Sequence, residues 1–175
     1  LNCLVNSLSA QTYRQWRAVV VHDGPYIDRE WPLKRPDDPR VTYIDTPTRV
    51  QQFGHPHRQM AIERLLDAGV EWIGLTNDDN YYVPVYLEWM LHSAITAKAE
   101  FIYCDAVHSH KLWKPLPGAL RRGHIDLGGF LAHRSLVKKI KFDKFTFAGD
   151  WDYINRLRSA AKRTTKVAAT LFVHN

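Results

Sequence analysis

The sequence predicts an α/β fold, a Rossmann-like and mainly parallel β-sheet with helices on both faces, and two observations carry that prediction. Short runs rich in Val, Ile and Phe alternate along the chain with segments of helical periodicity. Most of the strand-like runs are apolar without interruption, as strands covered on both faces are. No internal repeat, linker or break in composition divides the chain, so residues 1–175 read as a single domain.

The elements follow in order. Leu1, Leu4, Val5 and Leu8 fall at helical spacing. "RAVVVHDG" is a β-branched run that ends in Asp-Gly, a strand and its turn. Residues 25–39 hold four prolines and read as a loop. "VTYIDT" is a second strand. "GHPHRQMAIERLLDAG" is a helix with Ile62, Leu65 and Leu66 on one face and Gly69 as its stop. "VEWIGLTN", residues 70–77, is a third strand. Pro84 suits the first turn of a helix whose buried stripe is Tyr86, Leu87, Met90, Leu91, Ala94 and Ile95. "EFIYCD" is a fourth strand, and residues 106–123 are irregular and basic. "DLGGFLAH" and "RSLVKKI" give a strand and a short helix. "DWDYINRLRSAAKR" is a helix, and "KVAATLFVHN" is the last strand.

Composition narrows the function. Hydrophobic residues make up 45% and charged residues 24%, the balance of a chain with a core. The formal net charge of +6 favours anionic partners, but the basic residues are dispersed, which argues against nucleic acid. The two cysteines form no disulfide framework, and a reducing, cytoplasmic setting is the default expectation. No apolar run approaches the roughly 20 residues of a membrane span, which leaves peripheral contact with a membrane's inner face open. The sequence has no recognisable signal peptide and starts without Met, so an N-terminal piece beyond it is allowed for.

In open α/β sheets ligands bind beyond the carboxyl ends of the strands. Asp23, Asp78, Asp79, Asp105 and His174 stand at such ends, and with parallel strands most of them are expected along one edge. Adjacent carboxylates at Asp78 and Asp79 repel, and a hard divalent cation removes that cost. An Asx turn before Pro84 is the alternative. Asp23 is equally the start of a turn, and His174 equally an edge residue. Imidazole suits Mn²⁺ more than Mg²⁺. Asp150 is expected at a helix N-cap, or as a general base for an acceptor hydroxyl, with Asp152 as its neighbouring competitor. Arg58, beside His55 and His57 at a helix start, favours phosphate, or else an exposed first turn. His108 and His110 ("HSH") could bind metal, but the spacing alone is a weak signal and a solvated loop is the favoured reading. Gly128 and Gly129 mark a close backbone approach or a bulge.

Four blocks, "LVNSLSAQTYRQWRAVVVHDGP", "TNDDNYYVPVYLEWM", "HIDLGGFLAHRSLV" and "GDWDYINRL", together resemble family 2 glycosyltransferases of the GT-A fold, soluble and non-processive in type. The resemblance implies transfer, with inversion, of a sugar from a nucleotide diphosphate sugar, a UDP-sugar above all, to an acceptor hydroxyl. It implies that Asp150 is the catalytic base and that Asp23, Arg58 and Asp78 contact the nucleotide. It places Mn²⁺ or Mg²⁺ on Asp79 and His174, and substrate near Asp126, Gly128 and Trp151. The acceptor, whether glycan, lipid-linked or small molecule, stays unnamed. The family's first strand, which ends in a Pro-Thr-Tyr-Asn-like segment, has no counterpart here. Gly149-Asp150 stands where the family usually has Glu-Asp. Two other readings remain: a degenerate domain that binds nucleotide sugars or protein partners, and a nucleotidyltransferase of related fold, for which no Gly-rich phosphate loop is present.

Overall fold

The computed structural model describes residues 1–25 and 35–175. The loop expected over residues 25–39 therefore falls partly outside the described residues. The described elements are α1 (Asn2–Ser9), β1 (Ala18–His22), β2 (Val41–Asp45), α2 (His55–Asp67), β3 (Trp72–Ile73), β4 (Tyr81–Tyr82), α3 (Tyr86–Ala97), β5 (Phe101–His108), β6 (Lys114–Leu116), β7 (Phe130–His133), α4 (Arg134–Val137), α5 (Gly149–Ala160) and β8 (Thr164–His174).

Side-chain alternation along the central strands builds two cores. In β5, Phe101 faces one layer while Ile102, Cys104 and Ala106 face the other; in β7, Phe130 and Ala132 oppose Leu131 in the same way. The first layer is closed by Ile62 and Leu65 of α2, Leu136 and Val137 of α4, and Tyr153, Ile154 and Leu157 of α5. The second is closed by Leu4 of α1 and by Tyr86, Met90 and Ala94 of α3. Each large apolar side chain so buried contributes about 1.5–3 kcal/mol. Helices on both faces thus follow from the period of two in the strands meeting helical stripes. One stripe residue differs from expectation: Ile95 is 68% exposed, because the face that Tyr86, Met90 and Ala94 bury turns it outward.

Buried Gln11 joins α1 to the start of α3. Its Nε2 donates to the carbonyls of Ser7 and Val83, and its Oε1 accepts from the Leu87 N–H. The amide is therefore satisfied, as a buried polar group must be.

The sheet is mixed rather than mainly parallel. β5 runs parallel to β8 but antiparallel to β6 and β7, and β3 and β4 join antiparallel to β7 and β8. The cause is the connections. A parallel neighbour needs a crossover of a dozen or more residues, usually helical. The stretch between β5 and β7 carries β6 and two short 3-10 turns but no α-helix to cover a crossover, and β6 and β7 fold back on β5. β8 is reached through α4 and α5, and it is parallel.

β1 and β2 form a parallel pair apart from the other six strands. A cavity of about 1270 Å³ separates them, lined by Val19 and Val21 on one side and by Trp72, Ile73, Leu75 and Leu131 on the other. The third strand, expected over 70–77, stops after Ile73. It has a partner on its β7 edge, and its other edge faces the cavity.

Candidate functional site

The backbone first brings β5 and β8 together at their carboxyl ends. Their parallel register pairs His108 with His174, after irregularities on either side of Asp105. Such bulges re-aim side chains next to sites. The two imidazoles stack, with ring centroids 4.0 Å apart and planes at 19°. Asp126 lies below them, in the turn that leads into β7. Its Oδ1 accepts from the Gly128 N–H at 2.9 Å. Its Oδ2 lies 3.3 Å from His174 Nδ1 and 3.8 Å from His108 Nε2. Burial alone would raise Asp126, but His174, the Gly128 N–H and His108 outweigh it and hold the carboxyl below its ordinary value. The Asp126 carboxylate pushes His174 up against the effect of burial, and Asp79 adds to the rise. His174 Nδ1 is buried and makes no hydrogen bond of good geometry.

A second group centres on Arg58, in the first turns of α2. One guanidinium nitrogen donates to Asp150 Oδ1 at 2.5 Å and to His55 Nδ1 at 2.6 Å. The other donates to Asn77 Oδ1 at 2.8 Å. Arg58 thus ties the end of the 70–77 segment to the start of α5. Because His55 Nε2 meets the Thr146 carbonyl at 3.0 Å, that nitrogen carries the proton and Nδ1 accepts from Arg58. Burial, then the Arg58 charge, lowers His55, which keeps the ring neutral. Asp150 is pushed up by burial, against the opposing pull of Arg58 and His55. Its position also differs from expectation. Ala148 is the N-cap of α5, and Asp150 lies inside the first turn, where its carboxylate turns to Arg58. Asp152, the competitor, faces Arg156 at 2.7 Å on the same helix.

Asp23 is occupied by the backbone it shapes. Its Oδ1 accepts from the Val50 N–H at 2.7 Å and from His57 Nε2 at 2.8 Å, and its Oδ2 accepts from the Gln51 N–H at 2.7 Å. These bonds, His57 first, lower its pKa to about 2. They also hold a turn in which Gln51, Gln52 and Phe53 all have positive φ. His55 and His57 are buried, not part of an exposed first turn.

The remaining expected residues are distributed as follows. Asp78 and Asp79 are both exposed at the end of the 70–77 segment. Asp105 is not at a strand end, since β5 continues to His108. It bonds Lys166 Nζ and the Gly118 N–H, both at 2.7 Å. Trp151 is half-buried against the first core layer. Tyr82 and Tyr86 are core residues whose hydroxyls donate to the Gly128 carbonyl. Gly128 itself is required by packing: a Cβ there would lie 2.3 Å from the Phe172 ring, whereas one at Gly129 would meet nothing within 4 Å. Gly128→Ala is therefore expected to cost about 1–3 kcal/mol and Gly129→Ala little. Urea titrations of the two variants check this.

His108 is the residue that the sequence underrated. Its spacing from His110 is only a weak metal signal, and only the register with β8 places it beside His174. For a divalent cation, the fit rests on this donor chemistry: two imidazoles, one carboxylate, and a buried nitrogen without a hydrogen bond. Among the described residues, no helix is long and apolar enough to cross a membrane.

No protein-family model matches the sequence, and no curated protein does. The fold does have relatives among solved structures. S. aureus TarS 1–349 superposes with a TM-score of 0.77 at 15% identity, covering 99% of this chain and 56% of that one. TarS 1–349 in complex with UDP gives 0.74 at 13% identity, covering 98% and 55%. The complex with UDP-GlcNAc gives 0.73 at 14% identity, covering 97% and 53%. The chain spans about half the length of these structures. At such identities the likeness establishes the fold alone: the chain has the α/β fold of TarS 1–349.

Proposed function

We propose that this domain is a glycosyltransferase that binds a UDP-sugar, UDP-GlcNAc being the first candidate, and transfers the sugar to an acceptor hydroxyl with inversion. The observation that carries the reading is the Asp150–Arg58–Asn77 chain beside the Asp126–His174 pair, on one edge of a GT-A sheet. The TarS structures of this fold, one with UDP and one with UDP-GlcNAc, support the donor class. The four sequence blocks support membership of family 2.

The chemistry is a single displacement. The acceptor oxygen attacks the anomeric carbon, the bond from that carbon to the diphosphate oxygen breaks, and UDP leaves. Asp150 takes the proton from the attacking hydroxyl. Its partly buried site keeps the carboxylate basic, while Arg58 and His55 orient it. A bound Mn²⁺ or Mg²⁺ offsets charge on the leaving diphosphate. Asp79 and His174 are proposed to hold that ion, with Asp78 next to the sugar nucleotide. Asp23 acts on the nucleotide pocket through the 50–53 turn that it fixes.

Calorimetric titration with UDP, with and without Mn²⁺, tests the donor reading. Wild-type protein is expected to bind UDP more tightly with Mn²⁺, and Asp79→Ala to lose that enhancement while remaining folded. Absence of UDP binding under either condition sinks the reading.

A further inference from the structure

We propose that His108, Asp126 and His174 form a two-histidine, one-carboxylate site that binds Mn²⁺ before any nucleotide arrives. The proposal rests on the donor-binding reading only for what the ion is used for. The sequence offers His108 to a metal only weakly, through His110; the strand register sets it beside His174 instead, with Asp126 adjacent.

Three features support the site. The donor atoms lie within 4.8 Å of one another, close enough to converge on one ion with small side-chain movements. They come from a rigid frame: two hydrogen-bonded strand ends and a turn whose Gly128 N–H already orients the Asp126 carboxylate. His174 Nδ1 is buried, faces Asp126 Oδ2 at 3.3 Å and makes no hydrogen bond of good geometry. There is one cost. His108 Nδ1 accepts the His110 N–H at 3.2 Å, so ligation through Nε2 requires the other tautomer and forfeits that exposed bond.

The donor set also selects the metal. Mg²⁺ prefers oxygen ligands in octahedral array, whereas imidazole suits Mn²⁺ and later first-row ions. Asp79, which is exposed, is left for the nucleotide-loaded state.

The test uses MnCl₂ alone, read by electron paramagnetic resonance of free and bound Mn²⁺, with no nucleotide present. Wild type is expected to bind one Mn²⁺ that excess Mg²⁺ does not displace. Asp126→Asn, which keeps an oxygen for the Gly128 N–H, and His108→Ala are each expected to weaken binding at least about tenfold. His92→Ala, which removes an exposed histidine elsewhere, is expected to leave binding unchanged. Unchanged affinity in Asp126→Asn and His108→Ala overturns the proposal, as does a wild type that binds no Mn²⁺. Should either variant fail to fold, nitrogen couplings in the wild-type spin-echo spectrum decide: two histidine nitrogens are expected, and one or none overturns the site. A UDP titration run alongside separates the two readings. UDP binding without Mn²⁺ binding refutes the metal site and leaves the donor reading. Mn²⁺ binding without UDP binding does the reverse.

Discussion

Asp150→Asn is expected to slow turnover of the UDP-sugar by about 10²–10⁴-fold while UDP affinity stays within a fewfold of wild type. The asparagine keeps an oxygen where Arg58 donates, so the α2–α5 contact and the fold survive. What is lost is the group that accepts a proton. Because water serves as an acceptor, slow donor hydrolysis is a sufficient assay and needs no acceptor identified. Full activity in this variant would refute the base assignment and turn attention to Asp152, although that carboxylate is committed to Arg156.

The pH dependence makes the same claim in another way. A general base works when deprotonated, so kcat/KM should rise through the Asp150 pKa in the free enzyme. Burial pushes that carboxyl above its usual value of about 3.9, so the acid limb is expected above the pH where an exposed aspartate titrates. Asp150→Asn should abolish the limb along with the rate.

What the sequence revealed was local. The β-branched runs and helical stripes placed α2, α3, α5 and the long strands, because burial on both faces leaves that imprint in residue order. The pairing of the strands left no such imprint. Antiparallel return of β6 and β7 depended on the lack of a helix between them, and the irregular stretch 106–123 hid the end of β5. The same gap concealed His108, whose role depends on register with a residue 66 positions away. Arg58 and Asp150 were each legible as candidates. Their direct bond, across 92 residues, was not. Asp23 was legible as a turn residue, and the turn it holds is the 50–53 segment instead of its own.

Arg58→Ala is expected to lower both stability and activity, and the pH profile tells the two effects apart. The guanidinium donates to a carboxylate, an imidazole and an amide that are all partly or fully buried. Loss of hydrogen bonds to a charged group costs about 1.5–3 kcal/mol, and each kcal/mol corresponds to about 2–4 °C in Tm for a domain of this size. A purely structural role would end there. Arg58 also pulls the Asp150 pKa down against burial, so its removal lets that carboxyl rise further. The acid limb of kcat/KM should therefore move to higher pH in Arg58→Ala. Arg58→Lys should restore part of the limb's position, since it restores the charge, but less of the stability, since one ammonium cannot fork between Asp150 and Asn77 as the guanidinium does. In the double variant Arg58→Ala/Asp150→Asn the stability losses should fall short of additive, because the two groups share one bond. A limb that stays in place while Tm falls would reduce Arg58 to a brace between α2 and α5.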